Sequence, residues 1–383
     1  MKYAFFLLAL SAASLQGEVT AAGKMFTKAL KDNDLKAIET LLSSGFDVNL
    51  PVEGHTPLGL ALQFNRPGAV EILLAAHADP NEPILGGKVA SNMSPLQVAA
   101  QLSSLHIASM LIEAGARVDA KALQYALRED RHLDTIRLLI EKGADLNARD
   151  EEGASPLDNA VWRGALDTIA ILLAHGARLN ESDTKTGATP INEAAYRGNA
   201  SIVGYLLQFH PDLRISDKRG YIPLDNAIRM GKEDCALLLL EAEPKELLTP
   251  QFLGKTMEAA IQKNESDLVR ALLGKGADPN LGGPNGASPL EDASLQGHAA
   301  IAAMLLDGGA LVNRLDPVSG TTALYAAASF GKGEVVKLLL NRGANPTLCG
   351  KNRTSPYQAA VENGFSEVAT IIREHGGSRS CEH

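Results

Sequence analysis

One short motif returns every 33 or 34 residues through the greater part of the chain, and nothing else constrains the fold as tightly. With its proline position as marker, it falls at Pro156, Pro190, Pro223, Thr256, Pro289, Ala323 and Pro356. The surrounding sequences read ASPLDNA, ATPINEA, YIPLDNA, ASPLEDA, TTALYAA and TSPYQAA, with HTPLGLA at 55 and MSPLQVA at 93 before them. A period of this length means that each unit buries its apolar side against its neighbours, so no single globular core has to form.

Every position of the unit has a physical reason. Thr or Ser before the proline caps a first helix, and the proline fills the first helical position, where a missing N–H does no harm. Ala four residues on, as at Ala160, lets two helices approach closely. A glycine or asparagine then stops the helix in the left-handed conformation. In LDTIAILLAHG, residues 166 to 176, the spacing places Leu166, Ile169, Ala170, Leu172 and Leu173 on one buried side of a second helix. The unit closes with Gly-Ala-Asp or a variant, as in EKGADLN at 141 and GKGADPN at 274, where Asp or Asn starts a turn.

A unit of this length, with TPLH-like and GADxN-like signatures, resembles the ankyrin repeat. The resemblance implies an all-α solenoid of about eleven helix-turn-helix units joined by short β-hairpin loops, whose tips border a concave groove. Residues 18–383 are then a single array. Its units lie near 23–50, 51–84, 85–120, 121–150, 151–183, 184–217, 218–251, 252–282, 283–316, 317–350 and 351–383. Three places depart from the pattern. Between Pro57 and Pro95 the step is 38, so residues 82–92 make a long finger; from Pro95 to Ala122 it is 27, which leaves out most of a hairpin. EAEPKELLTPQFLGK, from 241, lacks Gly-Ala-Asp, and an irregular turn is expected there.

The amino terminus, MKYAFFLLALSAASLQG, combines one cation, a short apolar run and small residues. That is the layout of a secretory signal peptide over 1–17, cleaved near Ala13, or of an uncleaved anchor. The run is too short to span a bilayer, which needs about 20 apolar residues. An exported chain, periplasmic or secreted, is expected, with no integral membrane association. Cys235, Cys349 and Cys381 are too few for a disulfide framework. Either Cys349 and Cys381 pair near the carboxyl terminus, or all three remain thiols, Cys235 serving as a small hydrophobe.

Catalytic constellations are near misses. Gly254-Lys255-Thr256 resembles the end of a P-loop, but Thr249 stands where the first glycine belongs, and the three residues match the Gly-x-Thr-Pro slot of the repeat. Ser155 and Ser288 lack the second glycine of a nucleophile elbow and read as helix caps. The nine histidines show no paired spacing for a metal. No cofactor is expected, and the chain is read as a non-enzyme. With a net charge of −9 it carries no basic field for nucleic acid.

In proteins that this sequence resembles, contacts come from hairpin tips and from the last exposed positions of the first helix. Carried over residue by residue, those helix positions are Trp162 and Arg163, Tyr196 and Arg197, Arg229 and Met230, and Gln262 and Lys263, with Gln63 and Phe64, Gln101 and Leu102, and Ser329 and Phe330 further out. The tips add Lys185, Lys218, Arg219, Tyr221 and Lys255. This stretch is basic and aromatic inside an acidic protein, and Trp, Tyr and Arg dominate binding hot spots. The reading is a monomeric protein-binding scaffold that docks an acidic segment of a protein partner across 151–230. The alternative is an enzyme or small-ligand receptor with its pocket at an irregular loop, 82–92 or 241–255.

Overall fold

A computed structural model describes residues 21–52, 54–84, 92–128, 133–283, 288–350 and 353–379. Residues 1–17, read above as a signal peptide, residues 85–91 of the expected finger and Cys381 lie outside the described residues. The chain divides into two compact units, Met1–Lys185 and Thr186–His383. Among the described residues both are helical, with two isolated antiparallel bridges, Val52 to His55 and Ile84 to Met93, and no longer strand.

The second unit shows the building plan. Pro190–Arg197 packs against Ala200–Leu207 and against the next first helix, Pro223–Arg229. The same relation runs through Pro250–Lys263, Pro289–Gln296, Ala323–Ser329 and Pro356–Glu362, each with a second helix of its own. The first unit repeats it, for example with Pro95–Gln101 against Leu105–Glu113 and Ala120–Ala126. Small side chains make this spacing possible. Ala61, Ala99, Ala160, Ala194, Ala227, Ala260, Ala293, Ala327 and Ala360, all four places after the marker, are buried.

Capping follows the sequence at most units. Thr56, Ser94, Ser155, Thr189, Thr322 and Ser355 accept an N–H from the third residue of their helices. Ser155 forms a reciprocal box with Asp158, whose carboxyl group is pushed up to about 6 by burial. Ile222 and Ser288 begin helices without a side-chain cap bond.

Three expectations need correction. In the second helix Leu166–Ala174, Leu166 is exposed and the buried set is Thr168, Ile169, Ile171 and Leu172. This helix meets both Pro156–Arg163 and the preceding second helix Leu133–Glu141, so its buried arc is turned from the one the spacing suggests. Thr256 does not begin a first helix: that helix starts at Pro250, capped by Thr249, and Thr256 lies inside it with its hydroxyl donating to the Phe252 carbonyl. The register itself is kept, since Ala260 and the left-handed Asn264 stand where Ala160 and Gly164 do, but Thr249 and its proline start the helix six residues earlier. Lys255 is therefore a helix residue, ion-paired with Asp225 at 2.9 Å, and not a hairpin tip. Gly254 sits mid-helix, where an added Cβ would come within 3.3 Å of the Gly282 carbonyl oxygen.

The 27-residue step is resolved economically. Asp119 ends the turn after Gly115 and caps Ala120–Ala126 by accepting the Ala122 N–H, so one residue replaces the missing finger.

The Asp of Gly-Ala-Asp makes the expected turn, as Asp278 accepts the Asn280 N–H at 2.8 Å. The asparagine two places on does more. Asn280 donates to the Gly309 carbonyl at 3.2 Å and accepts the Leu311 N–H at 2.8 Å, clamping the following unit. Asn49, Asn81 and Asn313 make the same pair of bonds. Asn280→Ala is expected to cost about 1 kcal/mol, the net worth of an exposed bonded pair, read as a lower urea midpoint with unchanged slope.

Candidate functional site

The sequence-selected residues fall in both units. Most lie in the second, where the hairpin 217–221 is held from beneath. Asp217 accepts the N–H groups of Arg219 at 2.9 Å and Tyr221 at 3.1 Å, and its own N–H donates to the Tyr221 carbonyl. Its other oxygen accepts from Asn226 Nδ2 at 3.4 Å. Asn226 also donates to Asn192 Oδ1 at 3.1 Å, and Asn192 donates to the Ile215 carbonyl at 2.8 Å. Gly220, at φ 84°, supplies the left-handed residue that closes the tip.

This buried chain folds the tip back over the ends of two first helices. The Arg219 guanidinium lies 5.7 Å from the ring centre of Tyr196 and 3.5 Å from the Asp217 carboxylate. The Arg229 guanidinium lies 4.1 Å from the ring centre of Tyr221. Each contact is a cation on an aromatic face, which holds a mobile side chain without neutralising its charge. Met230 is 42% exposed at the end of its helix, and Lys218 donates its backbone N–H to the Thr186 carbonyl. Arg197 is engaged within its own helix by Glu193. Hence Tyr196, Arg219, Tyr221, Arg229 and Met230 form one surface, with Arg197 committed to an intrahelical pair.

In the first unit, Trp162 is 56% exposed on the last turn of Pro156–Arg163, which Gly164 ends in the left-handed conformation. Arg163 donates to the Arg128 carbonyl at 2.8 Å. Arg128 itself stacks 4.6 Å from the Tyr125 ring centre, a pairing that the sequence reading missed. Arg128 is six places after Ala122, as Trp162 is six after Pro156; the irregular step concealed the match. Tyr125 and Arg128 border a cleft of about 240 Å³ whose other side is Asp150, Glu151 and Glu152. Lys121 pairs with Glu151 at 3.6 Å, and Lys185 pairs with Glu152.

The segment at 241–255 holds one perturbed carboxyl group. Glu243 is buried and pushed up to about 7 by that burial, with Asp225 and Asp212 adding to the effect. The turn itself is a single 3₁₀ element, Lys245–Leu247, ahead of the long helix. Burial also lifts the Cys235 thiol to about 11, well above the range of a reactive thiolate. Among the described residues no three His, Cys, Asp or Glu side chains are grouped to hold a metal ion, and no helix is long and apolar enough to cross a membrane.

Comparison with known proteins agrees with this architecture. A model described as ankyrin repeats (3 copies) matches residues 96–183, 157–248 and 309–381, and one described as ankyrin repeats (many copies) matches 257–340. The ankyrin repeat and KH domain-containing protein mask-1 of Caenorhabditis elegans is 28% identical over 278 residues, covering 63% of this chain and 10% of that protein. The transient receptor potential cation channel subfamily A member 1 of Homo sapiens is 32% identical over 127 residues, 32% of this chain and 11% of that one. The chain thus spans about a tenth of either relative's length. The crystal structure of the ankyrin repeat domain of Bcl-3 aligns at 25% identity with a TM-score of 0.49, covering 56% of this chain and 97% of that one. Since the matched segments take in well over half of the residues, the chain belongs to the ankyrin-repeat family, whose stacked units serve as protein–protein interaction scaffolds.

Proposed function

We propose that the chain is an exported, non-catalytic scaffold that holds an acidic segment of a partner protein on the aromatic and cationic surface of its second unit. The observation that carries this reading is the paired stacking of Arg219 on Tyr196 and Arg229 on Tyr221. Two guanidinium groups are set in place before a ligand arrives, so less side-chain freedom is lost on binding. Each keeps N–H donors in the planar fork that matches a carboxylate. Arg219 meets Asp217 only through Nε, at 3.5 Å, whereas Arg197 is held more closely by Glu193 of its own helix and offers less to a partner.

Export is supported by the amino-terminal sequence and by Cys349, which is disulfide-bonded, a state that persists in oxidising compartments. Cys381 is its proposed partner, while Cys235 is a free, buried thiol.

The test is capture of proteins from the exported fraction on the immobilised chain. A species retained at low salt, released near 0.5 M salt and lost in the Arg219→Ala, Arg229→Ala double variant is the expected result. Retention of the same species at the same level by that variant would remove the surface from the function.

A further inference from the structure

The finger formed by residues 310–322 in the second unit is fastened to the neighbouring first helix by two carboxyl groups that share Ser319 as a donor. Asp316 is almost wholly buried and organises the finger as Asp217 does its own: it accepts the N–H groups of Val318 at 2.8 Å and Ser319 at 2.7 Å. Its second oxygen reaches out of the finger and accepts the Ser288 N–H at 2.5 Å, at the start of the helix Pro289–Gln296. From that helix Glu291, only 7% exposed, returns the contact: its Oε1 accepts the hydroxyls of Ser319 at 2.7 Å and Thr321 at 2.6 Å. Glu291 Oε2 is buried and accepts from no N–H or hydroxyl donor, while Ser319 gives its N–H to Asp316 and its hydroxyl to Glu291, which sets the two carboxyl groups side by side.

Two carboxylates in such contact repel, whereas a carboxylic acid donating its O–H to a carboxylate attracts. Which group holds the proton follows from their donors. Burial opposes charge on both, yet Asp316 is held below the ordinary range by the N–H groups of Ser319 and Ser288 and by Glu291. Burial raises Glu291 from 4.5 to about 7, against the two hydroxyls. Further charged groups stand on the elements packed around the pair, among them Asp307 at the end of Ala299–Asp307, which is ion-paired with Arg342. Glu258, from Pro250–Lys263, and Asp292, beside Glu291 on its own helix, are acidic, and Asp292 is itself raised to about 6 by burial and by Glu258 and Asp316. The adjoining helix Ala323–Ser329 has no charged side chain. Arg314, in the finger, spends its guanidinium on the Asn280 carbonyl.

We propose that Glu291 and Asp316 form a one-proton latch that fastens the finger 310–322 to the helix Pro289–Gln296 under mildly acidic conditions and loosens it as the proton leaves. The finger carries Leu311, Leu315 and Val318, all exposed, so the latch governs how rigidly an apolar tip is presented. The direction follows from linkage. With the finger open, Glu291 is solvated and titrates in the ordinary range; with it closed, the group holds its proton up to about 7. The closed form therefore binds more protons between those limits, is favoured in full below them, and has lost that advantage above them.

Hydrogen exchange of the full chain, read on peptides covering 311–322 and corrected for the intrinsic pH dependence of exchange, tests this directly. Between pH 5 and pH 7 the protection of Val318 and Ser319 is expected to fall by up to about tenfold per pH unit and then level off. Glu291→Gln retains an acceptor for Ser319 and Thr321 and carries a permanent donor for Asp316, so its protection should be flat across that range. Thr321→Val leaves both acids in place and removes one donor to the ionised form, which should move the midpoint to higher pH. Flat protection in the natural chain, the same slope in Glu291→Gln, or an unmoved midpoint in Thr321→Val would each overturn the latch.

Discussion

Replacing Tyr221 by Ala is expected to weaken capture of the partner about 30-fold, corresponding to roughly 2 kcal/mol for the loss of one hot-spot aromatic anchor. Two effects combine. The ring is itself contact area, and it is the platform 4.1 Å beneath the Arg229 guanidinium. Without it, Arg229 regains rotamer freedom that binding must again remove. Arg229→Ala should have a similar effect through the lost charge-assisted bonds. Because the two side chains act as one element, the double variant is expected to fall short of the product of the singles, at about 100-fold rather than about 1,000-fold. Arg229→Lys distinguishes mechanisms: an ammonium keeps the charge but not the planar fork, so substantial loss is expected if the ligand is a carboxylate held bidentately. The measurement is Kd of the captured protein by calorimetric titration, with circular dichroism to verify the fold. Values within threefold of the natural chain for both single variants would count against this surface.

What the sequence made legible was whatever a single unit decides for itself. Ala160 and its equivalents are small because two helices meet there, and Thr or Ser precedes proline because a helix end needs an acceptor. Both requirements are local, so both are written at fixed places. The shift at Thr249 was equally local, since its proline is adjacent, but the strong 33-residue register pointed to Thr256 instead. Interactions between units were harder to read. Asn280 has the appearance of a turn residue, and only the fold shows that its amide serves the next unit 29 and 31 residues on. The bonds that join Glu291 to Ser319 and Thr321, and Asp316 to Ser288, depend on a finger folding back over a helix, which no periodicity encodes. At the candidate site the exposed pairs were visible from their offset within the unit. Their support was not: Asp217 and Asn226 are buried beneath the tip.

That hidden support yields the second large effect. Asn226→Ala is expected to destabilise the second unit by about 3 kcal/mol, although Asn226 belongs to no exposed surface. Its amide donates to Asn192 Oδ1 and Asp217 Oδ2, and all three residues are buried. Removing the donor strands the buried Asn192 Oδ1, at a cost on the order of 1–3 kcal/mol, leaves Asp217 Oδ2 with only the Arg219 Nε at 3.5 Å, and adds a small void. Asn159 in the first unit makes the corresponding bond to Asp150 at 2.8 Å, but it is only half-buried, and Asn159→Ala should cost about 1 kcal/mol. Urea unfolding of both variants provides the comparison. A double variant, Asn192→Ala with Asn226→Ala, should be little worse than Asn226→Ala alone, because the first substitution removes one of the acceptors that the second would strand. The network also fixes the tip from which Arg219 and Tyr221 project, so Asn226→Ala should weaken capture under conditions where circular dichroism shows the chain still folded. Equal stability losses at Asn226 and Asn159, or full binding by folded Asn226→Ala, would mean that the tip is held by Asp217 and its backbone bonds alone.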